Sequence, residues 1–174
     1  TERCKDIVKD LLAYSRQTSP TKETFQVNSL IEQSLALIRD QKRFLNINLV
    51  KKLSDEMMLI RADKNQLIQV IINLIINAID AMNRKGTLTF RTYRNKPYKK
   101  VYIEVSDTGC GIPEDISQTA HTLGLAGMRE RIRLVGGTIS FERIRSGGTR
   151  VAVQLPLSEE KHWVGSDMNS RGAI

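Results

Sequence analysis

Five polar residues, Gln66, Gln69, Asn73, Asn77 and Asp80, punctuate a run that is otherwise almost wholly apolar from Gln66 to Ala81. Their spacings of three, four, four and three residues place them in one narrow stripe of a helix at ~100° per residue. A solvent-facing stripe is ordinarily filled with Lys and Glu, which are better helix formers than Asn. Here it is rich in amides and ends in one carboxylate. Amide oxygens are hard, neutral ligands, suited to a Mg²⁺ already carried on phosphates. A core helix with a polar solvent edge accounts for the same pattern.

Two glycine-bearing segments follow. In Asp107-Thr108-Gly109-Cys110-Gly111-Ile112 an aspartate ends a β-type run and two glycines let backbone come close to it. A carboxylate there accepts a hydrogen bond from an exocyclic amine such as that of adenine and repels a carbonyl at the same position. Such a charge-assisted bond is worth roughly 1.5–3 kcal/mol. Alone, the segment also reads as a common turn. Gly124-Leu125 opens a helix, whose free N–H groups and positive dipole end suit a phosphate, although an ordinary helix start has the same form. Gly148-Thr149 opens the last strand, where a threonine hydroxyl can meet a ligand or only close a hairpin.

The elements that must position these residues can be read from periodicity. Residues 2–16 form a helix with Ile7, Val8, Leu11, Leu12 and Tyr14 near one face, and a linker containing Pro20 follows. Phe25–Val27 is a short strand, and Asn28 or Ser29 caps a helix running to Arg43. Asn46–Leu53 and Met57–Ala62 are strands, and Asp63 caps the long amide-striped helix to Met82. The period then changes to two. Thr87–Tyr93 and Val101–Asp107 are strands joined by a basic turn, Leu125–Val135 is a helix, and Thr138–Arg143 and Thr149–Leu155 are strands. Helices beside hairpin-linked strands give an α+β fold, a two-layer sandwich with helices on one face of a sheet. The expected organisation is residues 1–20 as a partial helix and linker, 21–157 as the main domain, and 158–174 as a polar, disordered tail.

Composition narrows the classes of function. The 174 residues are 40% hydrophobic and 26% charged, which suits one soluble domain with a core. No apolar run approaches the ~18 residues of a membrane span. Cys4 and Cys110 form no CxxC pair, and His121 and His162 build no multi-histidine metal site, so a disulfide scaffold and a structural zinc are not expected. The net charge of +8 attracts polyanions. The basic residues are dispersed, however, and no aromatic-basic platform argues for nucleic acid.

Order and spacing carry more than any single segment. Asn73, Asn77 with Ala78 to Ala81, then Asp107 to Ile112, then Gly124-Leu125, then Gly148-Thr149 resemble the ATP-binding domain shared by sensor histidine kinases, DNA gyrase, Hsp90 and MutL, over roughly residues 23–157. Arg3–Arg16 is similar to the second helix of a histidine kinase dimerisation hairpin, which favours the kinase branch. The resemblance implies a Bergerat-type fold with a mixed sheet, and ATP with Mg²⁺ as cofactors. It implies that Asn77 binds Mg²⁺ and that Asn73 supports metal or phosphates. Asp107 would hold the adenine amine, with Gly109 and Gly111 admitting the base and Ile112 packing on it. Gly124 and Leu125 would end the ATP lid, and Thr149 would join the water network around adenine.

Where ATP-hydrolysing relatives carry a glutamate one turn before the metal-binding Asn, this chain has Asn73, which is no general base at neutral pH. The implied activity is therefore donation of the γ-phosphoryl group to a histidine in two-component signalling. The implied partners are a histidine-bearing dimerisation domain and a response regulator, with no nucleic acid and no membrane contact by this fragment. Residues 2–16 are the candidate surface for a homodimer. The location implied is cytoplasmic, alone or as the cytosolic part of a membrane sensor. The helix bearing the acceptor histidine is missing and neither His121 nor His162 fits its pattern, so autophosphorylation by this fragment alone is not expected. The lid is short, about ten residues between Pro113 and Gly124, and the segment from Gly124 to Arg131 is similar to the short-lidded kinases of nitrate and membrane-fluidity sensing. The alternative is a regulatory ATP-binding module without phosphotransfer.

Overall fold

The computed structural model describes residues 21–38, 44–112 and 123–158. The expected helix at 2–16, the candidate homodimer surface on it, the lid with His121, and the tail beyond Ser158 lie outside the described residues. In chain order the elements are β1 (Lys22–Gln26), α1 (Val27–Ile38), β2 (Ile47–Lys52), β3 (Leu59–Asp63), α2 (Lys64–Ala81), β4 (Gly86–Asn95), β5 (Lys100–Asp107), α3 (Leu123–Leu134), β6 (Thr138–Arg143) and β7 (Thr149–Pro156).

Five strands form a mixed sheet in the order β2-β4-β5-β7-β6, and β1 and β3 form a separate antiparallel ribbon. Among the described strands only β2 and β4 run parallel. A parallel pair needs a long crossover, and β3 with α2 supplies it. Alternation sets the faces. Leu88, Phe90, Val101, Ile103, Val105, Val151, Val153 and Leu155 point inward and are buried. The other face carries the stacked rings of Tyr93 and Tyr102, 4.9 Å between centroids.

Helix α2 packs on β4 and β5, between α1 and α3. It buries Leu67, Val70, Ile71, Leu74, Ile75, Ala78 and Ile79, and each fully buried Ile or Leu contributes about 1.5–3 kcal/mol. As the sequence predicts, Asp63 is its N-cap: Oδ1 accepts the Gln66 N–H at 3.2 Å. The reading of α1 needs correction. The helix begins at Val27, so Asn28 and Ser29 lie inside it. Gln26 takes the capping role, its side-chain oxygen accepting the Asn28 N–H and its carbonyl accepting the Ser29 hydroxyl. The Asn28 side chain is committed elsewhere: it donates to the Ser54 carbonyl at 2.8 Å and accepts from the Thr92 hydroxyl at 2.9 Å. A tertiary polar network has overridden a local capping preference. The first and third strands are also displaced, by one to three residues, to Lys22–Gln26 and Leu59–Asp63, because their ends are fixed by pairing with each other.

Candidate functional site

The inner face of β5 is apolar until its last residue, Asp107, which is only 6% exposed. Two backbone donors hold it. Oδ1 accepts the Gly109 N–H at 2.8 Å and the Thr149 N–H at 3.3 Å. Asp107, Gly109 and Thr149 are thus brought together by direct bonds, and the second oxygen, Oδ2, stands outside both of them. Burial pushes the carboxyl above its ordinary value of 3.8, against the two N–H groups, which favour the ionised form. A group with a raised folded pKa stabilises the fold most at pH below its unfolded value. That contribution is lost as pH rises through the raised value. At neutral pH the charge is therefore a burden on the fold. Asp107→Asn keeps an acceptor oxygen for both N–H groups and carries no charge. At neutral pH it is expected to resist urea at least as well as wild type, and to lose this part of the acid-side dependence. A clear loss of stability at pH 7 would mean that the ionised group is structural.

The glycines set how closely backbone approaches this acid. A Cβ at Gly109 would lie 2.7 Å from the carbonyl carbon and oxygen of Ala81, at the end of α2. The adjacent Cys110 N–H donates to that same Ala81 carbonyl at 3.2 Å. A Cβ at Gly148 would lie 1.9 Å from the Asp107 carbonyl oxygen, and its φ is +93°. Gly111 follows with φ +76° against the Gly148 carbonyl, and the Ile112 carbonyl accepts from Arg143 at 3.3 Å.

The end of α2 is therefore docked on the Asp107 loop. Asn77 stands four residues before Ala81, on the same side of the helix, and Asn73 one turn further. Asn77 and Asp80 are exposed, while Gln66, Gln69 and Asn73 are half-buried. The amide stripe thus runs up the helix away from the end that docks on the Asp107 loop. Gln66 at the far end accepts a hydrogen bond from Arg131 of α3. Met128 and Ile132 are buried in the core on the same helix. Gly124 and Leu125 lie in its first turn, and no direct bond joins them to the Asp107 cluster. Among the described residues, a Cβ on Gly124 or Gly127 would meet nothing within 4 Å.

This arrangement suits an adenine nucleotide with its cation. It offers a buried carboxyl with one oxygen outside its backbone bonds, glycine backbone around it, and a line of neutral amide ligands on the helix docked against it. Sequence reasoning missed two contacts: that of the Cys110 N–H with the Ala81 carbonyl, and that of Gln66 with Arg131. Both are tertiary, and a single sequence carries no signal for them.

The model of the histidine kinase-, DNA gyrase B- and HSP90-like ATPase family matches residues 62–159. The chain belongs to that family. Among curated relatives, the sensor histidine kinase ZraS of Salmonella typhimurium is 29% identical over 167 residues, covering 90% of this chain and 36% of ZraS. The sensor histidine kinase WalK of Bacillus subtilis is 29% identical over 185 residues, covering 92% of this chain and 30% of WalK. The chain thus spans about a third of the length of these relatives. The catalytic domain of histidine kinase ThkA superposes with a TM-score of 0.70 at 27% identity, over 78% of this chain and 97% of that one. ThkA in complex with the response regulator TrrA gives 0.77 at 30% identity, over 92% and 49%. The α+β sandwich is therefore a histidine kinase ATP-binding domain, as the ordered motifs predict. Among the described residues of this domain, no helix is long and apolar enough to cross a membrane.

Proposed function

We propose that this histidine kinase ATP-binding domain holds Mg·ATP and donates the γ-phosphoryl group to a histidine of a dimerisation domain in two-component signalling. The observation that carries the reading is the junction of two unlike ligand sets. A buried acid at the end of β5 is clasped, through Gly109 and Cys110, to the end of the helix bearing Asn73 and Asn77. In this reading Asp107 accepts from the adenine amine, and Gly109, Gly111 and Ile112 line the base. Thr149 supports the water network beside it. Asn77 and Asn73 face the metal and phosphates, and Gly124 and Leu125 close the phosphate end.

When bound, Mg²⁺ neutralises charge on the triphosphate. The chain's own contribution is placement. Asp107 fixes the purine end, the amides fix the phosphate end, and Asn73, which lacks the basicity of a carboxylate, leaves water unactivated. ATP supplies the phosphoryl group: its bond to the β,γ-bridging oxygen breaks as a P–N bond to the acceptor histidine forms. The acceptor histidine belongs to a separate helix, and the response regulator receives the group next. The site of action is the cytoplasm.

The test is calorimetric titration with a non-hydrolysable ATP analogue, with and without Mg²⁺. Wild type is expected to bind in a Mg²⁺-dependent manner. Asn77→Ala is expected to bind about tenfold more weakly in Mg²⁺, the loss of one ligand group worth ~1.4 kcal/mol, and to lose most of the Mg²⁺ effect. No binding by wild type would overturn the reading.

A further inference from the structure

The proposed function asks one ligand to span Asp107 and Asn77, which stand on different elements. Two clasps fix those elements to each other. The first is the backbone bond from Cys110 N–H to the Ala81 carbonyl. The second is the side chain of Thr108, the residue between the acid and its first glycine. Its hydroxyl accepts the Thr87 N–H at 3.0 Å, at the start of β4, and donates to the sulfur of Met82 at 3.6 Å. Met82 is the C-cap of α2 and is buried. The junction has no slack. A Cβ on Gly86 would lie 2.6 Å from the Met82 sulfur and 2.7 Å from the Thr108 hydroxyl oxygen. One hydroxyl therefore joins the end of β5, the end of α2 and the start of β4.

We propose that Thr108 is a positioning residue: it sets the distance between the carboxyl that holds the purine and the amides that hold the metal and phosphates. This rests on the Mg·ATP reading above and names a residue that the reading does not require. Thr108 acts through the loop and the helix end, so its loss penalises a ligand in proportion to how much of the site the ligand spans. Adenosine engages only the Asp107 side. Mg·ATP engages both.

The experiment compares Thr108→Val, Thr108→Ala and Thr108→Ser with wild type. The Val variant keeps the shape and removes the hydroxyl, and the Ser variant keeps the hydroxyl. Binding of adenosine and of a Mg·ATP analogue is followed by NMR shift titration, and exchange of the Thr87 amide is read without ligand. In the Val and Ala variants, Mg·ATP-analogue affinity is expected to fall about fivefold, in line with the loss of one neutral hydrogen bond. Adenosine affinity is expected to hold within twofold, and the Thr87 amide to exchange faster. Serine is expected to restore all three. A merely structural residue would weaken both ligands alike, and that result overturns the proposal. So does an unchanged Mg·ATP affinity in the Val and Ala variants. Failure of wild type to bind Mg·ATP would instead overturn the function reading, and this inference with it.

Discussion

Asp107→Ala is expected to lower the affinity for a Mg·ATP analogue by roughly a hundredfold while the domain stays folded. The carboxylate bond to an exocyclic amine is worth about 1.5–3 kcal/mol, a factor of about 10–100. Alanine also removes the anchor that Oδ1 gives to the Gly109 and Thr149 N–H groups, so the upper end applies. Calorimetry measures the binding, and circular dichroism checks the fold. Asp107→Asn sharpens the result. In that variant the amide oxygen faces the two N–H groups, so the amide NH₂ meets the adenine amine, donor against donor. It is expected to bind as weakly as alanine despite its stability. Retained affinity in the asparagine variant would mean that the acid does not grip the purine.

Gly148→Ala carries the largest stability effect. The new Cβ would sit 1.9 Å from the Asp107 carbonyl oxygen, 2.8 Å from its carbon and 3.1 Å from the Thr108 Cα. All three are backbone atoms, so no rotamer change relieves the clash. The left-handed conformation at φ +93° adds about 1–2 kcal/mol, and the forced shift about 1–3 kcal/mol. The variant is expected to lose about 2–5 kcal/mol in urea denaturation, and to lose nucleotide with it, because the strand end carrying Asp107 must move. Gly124→Ala is the contrast. Its Cβ meets nothing within 4 Å among the described residues and lies in a helix, so the ligand-free domain is expected to gain up to about 1 kcal/mol. A Gly148→Ala domain as stable as wild type would contradict the close approach of β7 to the Asp107 loop.

The parts of the fold written in periodicity were legible. An 18-residue helix with one amide stripe, and β-strands alternating in period two, leave little choice of element type. The sandwich class follows from their order. The parallel pairing of β2 with β4 was not legible, since β2 alternates weakly and its partner lies beyond a whole helix. The start of α1 was misread because Asn28 and Ser29 are good local caps, and the sequence gives no hint that Asn28 is taken up by Ser54 and Thr92. At the site the same division holds. Asp107, its glycines and the amide stripe stand out by residue type. Thr108 and Ala81 are ordinary residues whose importance comes from what folding places against them.

Phosphoryl transfer in trans decides whether the domain is a kinase. The domain is incubated with γ-³²P-ATP, Mg²⁺ and a dimerisation hairpin that carries an acceptor histidine. Acid-labile label is expected on that histidine, absent with Asp107→Ala and strongly reduced with Asn77→Ala. Tight Mg·ATP binding with no label on any acceptor hairpin would contradict the kinase reading and leave an ATP-binding regulatory module in its place.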